Sequence, residues 1–375
     1  MDFEFSSEAL QIKDEARRVL ADLSSSAVVR QVIDAGSGID RKLWSTLGEL
    51  GFLGAAIPEE YGGTGAGMLA LCAIVEEMGR AVAPVPFSSS ICLAADLLLA
   101  ADHRDARTHW LPRLAGGASI ACVGLAEGPG RCTPPAVAAR FDGVRLTGSK
   151  TAVPDGMVAD VALVAARDAQ DHIVLTLLEL DAPGVRRTHQ DSIDPSRSLA
   201  RIDFDRAPAL LLAGSAWPLL TRALDRAAVL MAFEQIGCAA RALETARGYA
   251  QERYAFGRPI GSFQALKHKL VDMFVGLTLA RSNCYYGAWA LDQNAEELPE
   301  AAAAARVSAT ESAQLCVKGN IQVHGGLGFT WDLDCHLLYR RAHLMALALG
   351  GLGQWQDRLI DSLRERRATD TASAA

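Results

Sequence analysis

The sequence predicts an α+β protein in three successive parts: an all-α N-terminal domain over residues 1–117, a small β-domain over 118–212 and a C-terminal four-helix bundle over 213–366. Three observations predict it. Apolar residues recur at the three-and-four spacing of a buried helix face near both ends of the chain. Between these regions, short β-rich runs alternate with Gly, Pro and Asp turns. From about Leu219 onward, four long amphipathic segments (219–252, 263–293, roughly 300–320 and 334–366) are joined by short connections, the pattern of an antiparallel bundle.

At 375 residues the chain is long enough for a sizeable core. Half of it is apolar and the net charge is -7 with both signs interspersed, which gives no electrostatic case for binding nucleic acid or an anionic membrane. No apolar run reaches membrane-spanning length, and the opening Met-Asp-Phe-Glu-Phe lacks the basic region of a secretory signal. Eight cysteines, at 72, 92, 122, 132, 238, 284, 316 and 335, show no paired spacing. They read as reduced, buried residues of a cytoplasmic protein and not as a disulfide frame or a zinc site.

Along the chain, Ser6 or Ser7 caps a first helix whose Ile12, Ala16, Val19, Leu20 and Leu23 line one face. Gly62-Gly63-Thr64-Gly65-Ala66-Gly67 invites a phosphate-loop reading, but no strand precedes it and no Gly-Lys-Ser/Thr closes it, so it reads as a turn. Leu71, Ile74, Val75 and Met78 carry the next helix, which Pro84 and Pro86 stop. The β-rich runs are Ile120 to Leu125, Val144 to Leu146, Val161 to Ala165, Ile173 to Leu180 and Arg201 to Phe204. The tail 367–375 offers nothing to bury and reads as disordered.

The most informative stretch is Arg253-Tyr-Ala-Phe-Gly-Arg-Pro-Ile-Gly-Ser-Phe-Gln264. Gly257, Pro259 and Gly261 break the helix there, so Arg253, Phe256 and Gln264 are presented on a tight turn between two long helices. A cation, a ring and an amide are the groups that hold a pyrophosphate and an adenine. Gln322-Val-His-Gly-Gly-Leu-Gly-Phe329 follows, and Leu50-Gly-Phe-Leu-Gly-Ala-Ala-Ile-Pro-Glu-Glu-Tyr-Gly-Gly-Thr-Gly65, running on to Glu76-Glu-Met-Gly-Arg80, precedes.

These three motifs, in this order, resemble the acyl-CoA dehydrogenase family over most of the chain. The resemblance implies a helical domain, a middle β-barrel domain against the flavin, and a four-helix bundle. It implies FAD as cofactor, an acyl-CoA thioester as substrate and a 2-enoyl-CoA as product, with an electron-transferring flavoprotein as acceptor. It further implies that Arg253, Phe256, Gln264, Gln322, Gly325 and Gly326 bind the adenosine end of a flavin held by the neighbouring subunit.

The same resemblance locates a gap. The family removes the substrate α-proton with a carboxylate, at a position that falls here on Leu349, counted from Arg340, or on Ala227 in members that use the first bundle helix. Neither side chain accepts a proton. Where the family has Trp-x-Thr after Gly-x-Lys, this chain reads Gly148-Ser-Lys-Thr-Ala-Val-Pro-Asp155, and Cys122-Val-Gly-Leu-Ala-Glu-Gly-Pro-Gly130 lacks the usual Thr-Glu. The losses fall on groups that serve this chain's own flavin ring, while the groups offered to a neighbour remain. The sequence therefore favours a base-lacking subunit of a hetero-oligomer over a self-sufficient homotetramer.

A self-sufficient enzyme would need another base. Glu234 lies two turns along from Ala227, about 11 Å of axial rise, and its simpler reading is a buried carboxylate paired with an arginine such as Arg241. A third reading is the same fold running another flavin reaction, such as monooxygenation or nitroalkane oxidation. Asp332 and Asp334 read as caps of the last helix. His324, His336 and His343 fit no metal-ligand spacing, and no nucleophile elbow is present. The loss of bulky family residues near the flavin points to a wide substrate, a ring-bearing or branched acyl-CoA.

Overall fold

The structure, a computed structural model, describes residues 5–373, with side chains through Arg367. By internal packing the chain forms two compact units that cut across the linear three-part division. One holds the residues through Ser26, Cys72–Ala83 and everything from Ala228 on; the other holds Ala27–Leu71 and Pro84–Ala227.

The helices of the first part of the chain are α1 (Ser7–Leu23), α2 (Ser26–Ala35), α3 (Arg41–Glu49), α4 (Gly67–Arg80), α5 (Asp96–Ala100) and α6 (Arg104–Ala115). Of the two expected caps, Ser6 closes α1, its hydroxyl accepting from the Ala9 N–H at 3.2 Å. Leu71, Ile74, Val75 and Met78 are all buried on α4, as their spacing predicts. Ahead of α5, Phe87–Ala95 winds as a wide π-type turn and buries every residue, including Ser88, Ser89 and Ser90. The glycine cluster after residue 61 is a packing turn: a Cβ on Gly63 would stand 1.9 Å from the Ile57 carbonyl oxygen.

The strands are β1 (Ala121–Gly124), β2 (Arg140–Phe141), β3 (Arg145–Pro154), β4 (Val161–Arg167), β5 (Ile173–Glu179), β6 (Val185–His189), β7 (Leu199–Pro208) and β8 (Leu210–Ala213). They form one sheet in the order β6-β7-β3-β2-β4-β5-β8, with β1 parallel to β4. Among the described residues no ladder joins β6 to β8, so the curl is not closed by hydrogen bonds. Val161–Ala166 and Ile173–Leu178 are buried at every position, which is why these strands read as unbroken apolar runs and not as alternation.

The remaining elements are α7 (Trp217–Glu252), a hairpin of β9 (Tyr254–Ala255) and β10 (Arg258–Pro259), α8 (Gln264–Asp292), α9 (Leu298–His324), α10 (Cys335–Leu347) and α11 (Leu352–Ser373). In the first unit two glycines let α4 and α7 touch backbone to backbone. A Cβ on Gly79 would stand 1.9 Å from the Glu234 carbonyl oxygen, and one on Gly237 1.8 Å from that of Glu76. Phe5, Phe233 and Tyr285 stack beside this crossing at 5.0–6.1 Å.

One expectation is corrected here. The single segment 334–366 is two helices, parted where Leu349 and Gly350 take positive φ (58° and 103°). The second of them, α11, runs on through Ser373, and 374–375 lie outside the described residues. Once a helix is nucleated, each further residue adds a hydrogen bond, and Glu365, Arg366, Arg367 and Ala368 are good helix formers.

Candidate functional site

Within the helical unit, α7 ends at Glu252 and the chain reverses through a two-residue hairpin in which Ala255 pairs with Arg258 and Tyr254 with Pro259. Phe256 and Gly257 at its tip have φ of 55° and 76°, the type I′ combination that suits the twist of a hairpin. The tip holds Phe256 out at 95% exposure. Behind it, the Arg258 guanidinium lies 4.1 Å from the centre of the Phe263 ring, and the Ile260 N–H donates to the Arg253 carbonyl at 2.8 Å. Gln264 begins α8, whose first turn carries no acidic residue and leads into Lys267. Arg253 and Gln264 are exposed beside the unsatisfied N–H groups of that helix start, a place that favours an anion.

The second motif ends α9. Gln322 is exposed, and Gly325 and Gly326 follow with nothing within 4 Å of an added Cβ. Their backbone is therefore open to a close-approaching ligand. His324, just before them, is buried and stacks on Tyr249 at 4.1 Å, and Tyr249 lies one turn before Arg253 on α7. That stack ties the two motif-bearing helix ends together. Sequence reading missed Tyr249, a lone aromatic in a polar stretch.

The candidate bases are placed differently. Ala227 is fully buried. Leu349 sits in the break between α10 and α11, and the fully buried Arg306 fixes that break from below, donating to the carbonyls of Met345 and, at 2.7 Å, Ala348. The Arg306 guanidinium thus satisfies the carbonyl end of α10 and also donates to Gln235 at 2.5 Å, with burial lowering its pKa to about 10. Glu234 is 2% exposed and held by Arg341 at 3.3 Å, not by Arg241; Arg341 also donates to the Ala83 and Val82 carbonyls. The Glu234 carboxylate is thus engaged in a buried ion pair with Arg341.

In the sheet unit, Ala152 has φ 49° at a bulge of β3, and the Gln190 side chain, paired with Thr151, accepts its N–H at 2.8 Å. Lys150 is buried, donating to Glu127 at 2.6 Å and to the Leu125 carbonyl, and burial lowers its pKa. Glu127 also accepts the Ala138 and Ala139 N–H groups, so the pair braces the loop 125–139.

The three histidines all form ring stacks: besides His324 on Tyr249, His336 lies on Trp331 at 4.2 Å and His343 on Tyr339 at 4.0 Å. Asp334 occupies the position before α10 without a capping bond from its carboxylate. Among the described residues no group of three His, Cys, Asp or Glu is placed to hold a metal, and no helix is long and apolar enough to cross a membrane.

A helical unit whose α7–α8 corner presents Arg253, Phe256 and Gln264, and an eight-stranded sheet built from the segment before it, make up the class of fold found in flavoprotein dehydrogenases. The family descriptions "Acyl-CoA dehydrogenase, N-terminal domain" and "Acyl-CoA dehydrogenase, C-terminal domain" match residues 6–118 and 214–360. The chain is 33% identical to the acyl-CoA dehydrogenase IpdE2 of Mycobacterium tuberculosis, over 90% of this chain and 91% of that one. Among solved structures it resembles a single-residue variant of the Tcur3481-Tcur3483 steroid ACAD (TM-score 0.89, 32% identity, 96% and 99% of the two chains). It also resembles the ChsE4-ChsE5 complex of M. tuberculosis (TM-score 0.89, 27% identity, 97% and 99%). The chain belongs to the acyl-CoA dehydrogenase family, whose cofactor is FAD.

Proposed function

We propose that this chain is the base-lacking subunit of a hetero-oligomeric acyl-CoA dehydrogenase, and that it completes the FAD site of a catalytic partner. One observation carries the reading: the helix ends that would grip a dinucleotide are intact, while the base positions hold Leu349 and Ala227 and the nearby carboxylate Glu234 is bound to Arg341.

The residues fit the adenosine half of FAD. Arg253 would face the pyrophosphate, Phe256 would lie against the adenine and Gln264 would donate its amide. Gln322 and the open backbone at Gly325 and Gly326 would take the remaining polar edges. When bound, FAD accepts the hydride lost from the acyl β-carbon. The α-proton requires a carboxylate, which this reading assigns to the partner. The α7–α8 hairpin binds and orients, and it moves no proton.

Two of the structural relatives, the Tcur3481-Tcur3483 steroid ACAD and the ChsE4-ChsE5 complex, are named as pairs, one of them a steroid enzyme. They support a two-chain assembly and a ring-bearing acyl-CoA as substrate. An electron-transferring flavoprotein in the cytoplasm is the proposed acceptor.

Co-expression with a related dehydrogenase chain tests the assembly. The expected product is a complex with one FAD for each pair of chains, and Arg253→Ala lowers its FAD affinity about tenfold or more, as the loss of a charge-assisted contact of about 1.5–3 kcal/mol requires. One FAD per chain, unaffected by Arg253→Ala, would replace the hetero-oligomer with the self-sufficient enzyme.

A further inference from the structure

Two of the helices that carry the dinucleotide residues run side by side in the same direction. Gln235 of α7 donates its side-chain amide to the Thr310 hydroxyl of α9 at 3.0 Å, and Tyr249 of α7 stacks on His324 of α9 with ring centres 4.1 Å apart. Each helix advances fourteen residues from the first tie to the second, Gln235 to Tyr249 and Thr310 to His324. They therefore keep register over about 21 Å and bring Arg253 and Gly325 to the same end of the pair.

Each motif is closed against its own helix. A Cβ on Gly261 would stand 2.8 Å from the Ala250 carbonyl oxygen, so the corner after α7 folds back on the end of that helix. One on Gly328 would stand 2.6 Å from the Ile321 carbonyl oxygen, and the loop after α9 does the same. These contacts fix each motif to its helix; the ring stack fixes one helix end to the other. His324 is buried, and its Nδ1 lies 2.9 Å from the Asn320 carbonyl. A carbonyl only accepts, so Nδ1 carries the proton and the bond holds the imidazole plane. Tyr249 is half-buried against that ring, one turn before Arg253, and His324 directly precedes Gly325.

We infer that Tyr249 is a positioning residue for the dinucleotide: stacked on His324, it sets the distance between Arg253 and the open backbone of Gly325 and Gly326, so that two helix ends meet one ligand as a single grip. The inference rests on the reading that these ends bind the adenosine half of FAD, and it adds a residue to that site. Arg253 is exposed, and the glycines belong to a segment about seventy residues further along the chain. A grip made of two such segments binds well when their separation is set before the ligand arrives.

The test is FAD affinity, followed by flavin fluorescence, in the assembly that carries the flavin, two-chain or homo-oligomeric. Tyr249→Ala weakens FAD about two- to tenfold, the size of one aromatic pair, while Tyr249→Phe, which keeps the ring, binds as wild type does. Tyr249→Ala has little further effect on an Arg253→Ala chain, because the ring acts through the placement of that guanidinium; a merely structural contact would weaken FAD equally in both backgrounds. Tyr249→Leu keeps apolar volume without the ring and gives the same comparison where the alanine variant does not fold. Unchanged affinity on losing the ring, full additivity with Arg253→Ala, or a Tyr249→Phe loss equal to that of Tyr249→Ala would each overturn the inference. An Arg253→Ala chain that holds FAD as tightly as wild type removes the binding reading itself, whereas a loss at Arg253 with none at Tyr249 removes this inference alone.

Discussion

Arg341 reaches Glu234 across 107 residues of sequence, and both side chains are closed to solvent. Removing one member of such a pair strands a buried charge, so Arg341→Met costs about 3–5 kcal/mol in urea unfolding. The double variant Glu234→Gln, Arg341→Met recovers most of that loss, the result a structural pair gives and a catalytic carboxylate does not. Lys150 offers a pH signature. Its folded pKa lies below the ordinary 10.5, so between the two values the unfolded chain binds more protons and stability rises with pH. Wild type therefore gains on Lys150→Met as pH climbs toward 10.5 in chemical denaturation; a flat difference would remove burial as the cause. At this scale the sequence showed that Glu234 is buried but not who holds it, since Arg241 and Arg341 are equally plausible until the chain folds. Arg306 was hidden for a related reason: it follows an alanine run, and its acceptors are backbone carbonyls on another helix.

Elements were legible where a period is long and unbroken. The spacing of Leu71, Ile74, Val75 and Met78 marked α4, and the Gly-Pro-Gly punctuation marked the corner between α7 and α8. The α10–α11 break escaped because Leu347, Leu349 and Leu352 keep an apolar pattern running through Gly350-Gly351. β6 and β8 escaped because each is short and mostly exposed, with no buried face to impose alternation. Gly237 looked ordinary, yet its missing Cβ sets the α4–α7 crossing. Gly237→Ala costs about 1–3 kcal/mol or more through overpacking, read as a lowered melting temperature. In the hairpin, Gly257→Val forces a β-branched residue to φ 76°, at a cost of about 1–3 kcal/mol of local strain. Its FAD retention in the two-chain complex falls while unfolding of α8 and α9, followed by hydrogen exchange, is unchanged.

For the whole molecule, the three-part order of helices, strands and helices was written in the sequence, because period and composition change sharply near residues 118 and 213. The grouping by packing was not: α1 and most of α4 join the C-terminal helices through contacts such as Gly79 against Glu234, which no local pattern announces. The α7–α8 corner was readable because its motif is carried by contiguous residues, whereas Tyr249 and His324 meet only in the folded unit. On the function proposed, this chain holds a dinucleotide for a partner and removes no α-proton itself. Anaerobic titration with an acyl-CoA, following the flavin absorbance, tests it most directly. The chain alone, supplied with excess FAD, shows no bleaching, and the complex with its catalytic partner bleaches fully. Full bleaching by the chain alone would mean that it carries its own base.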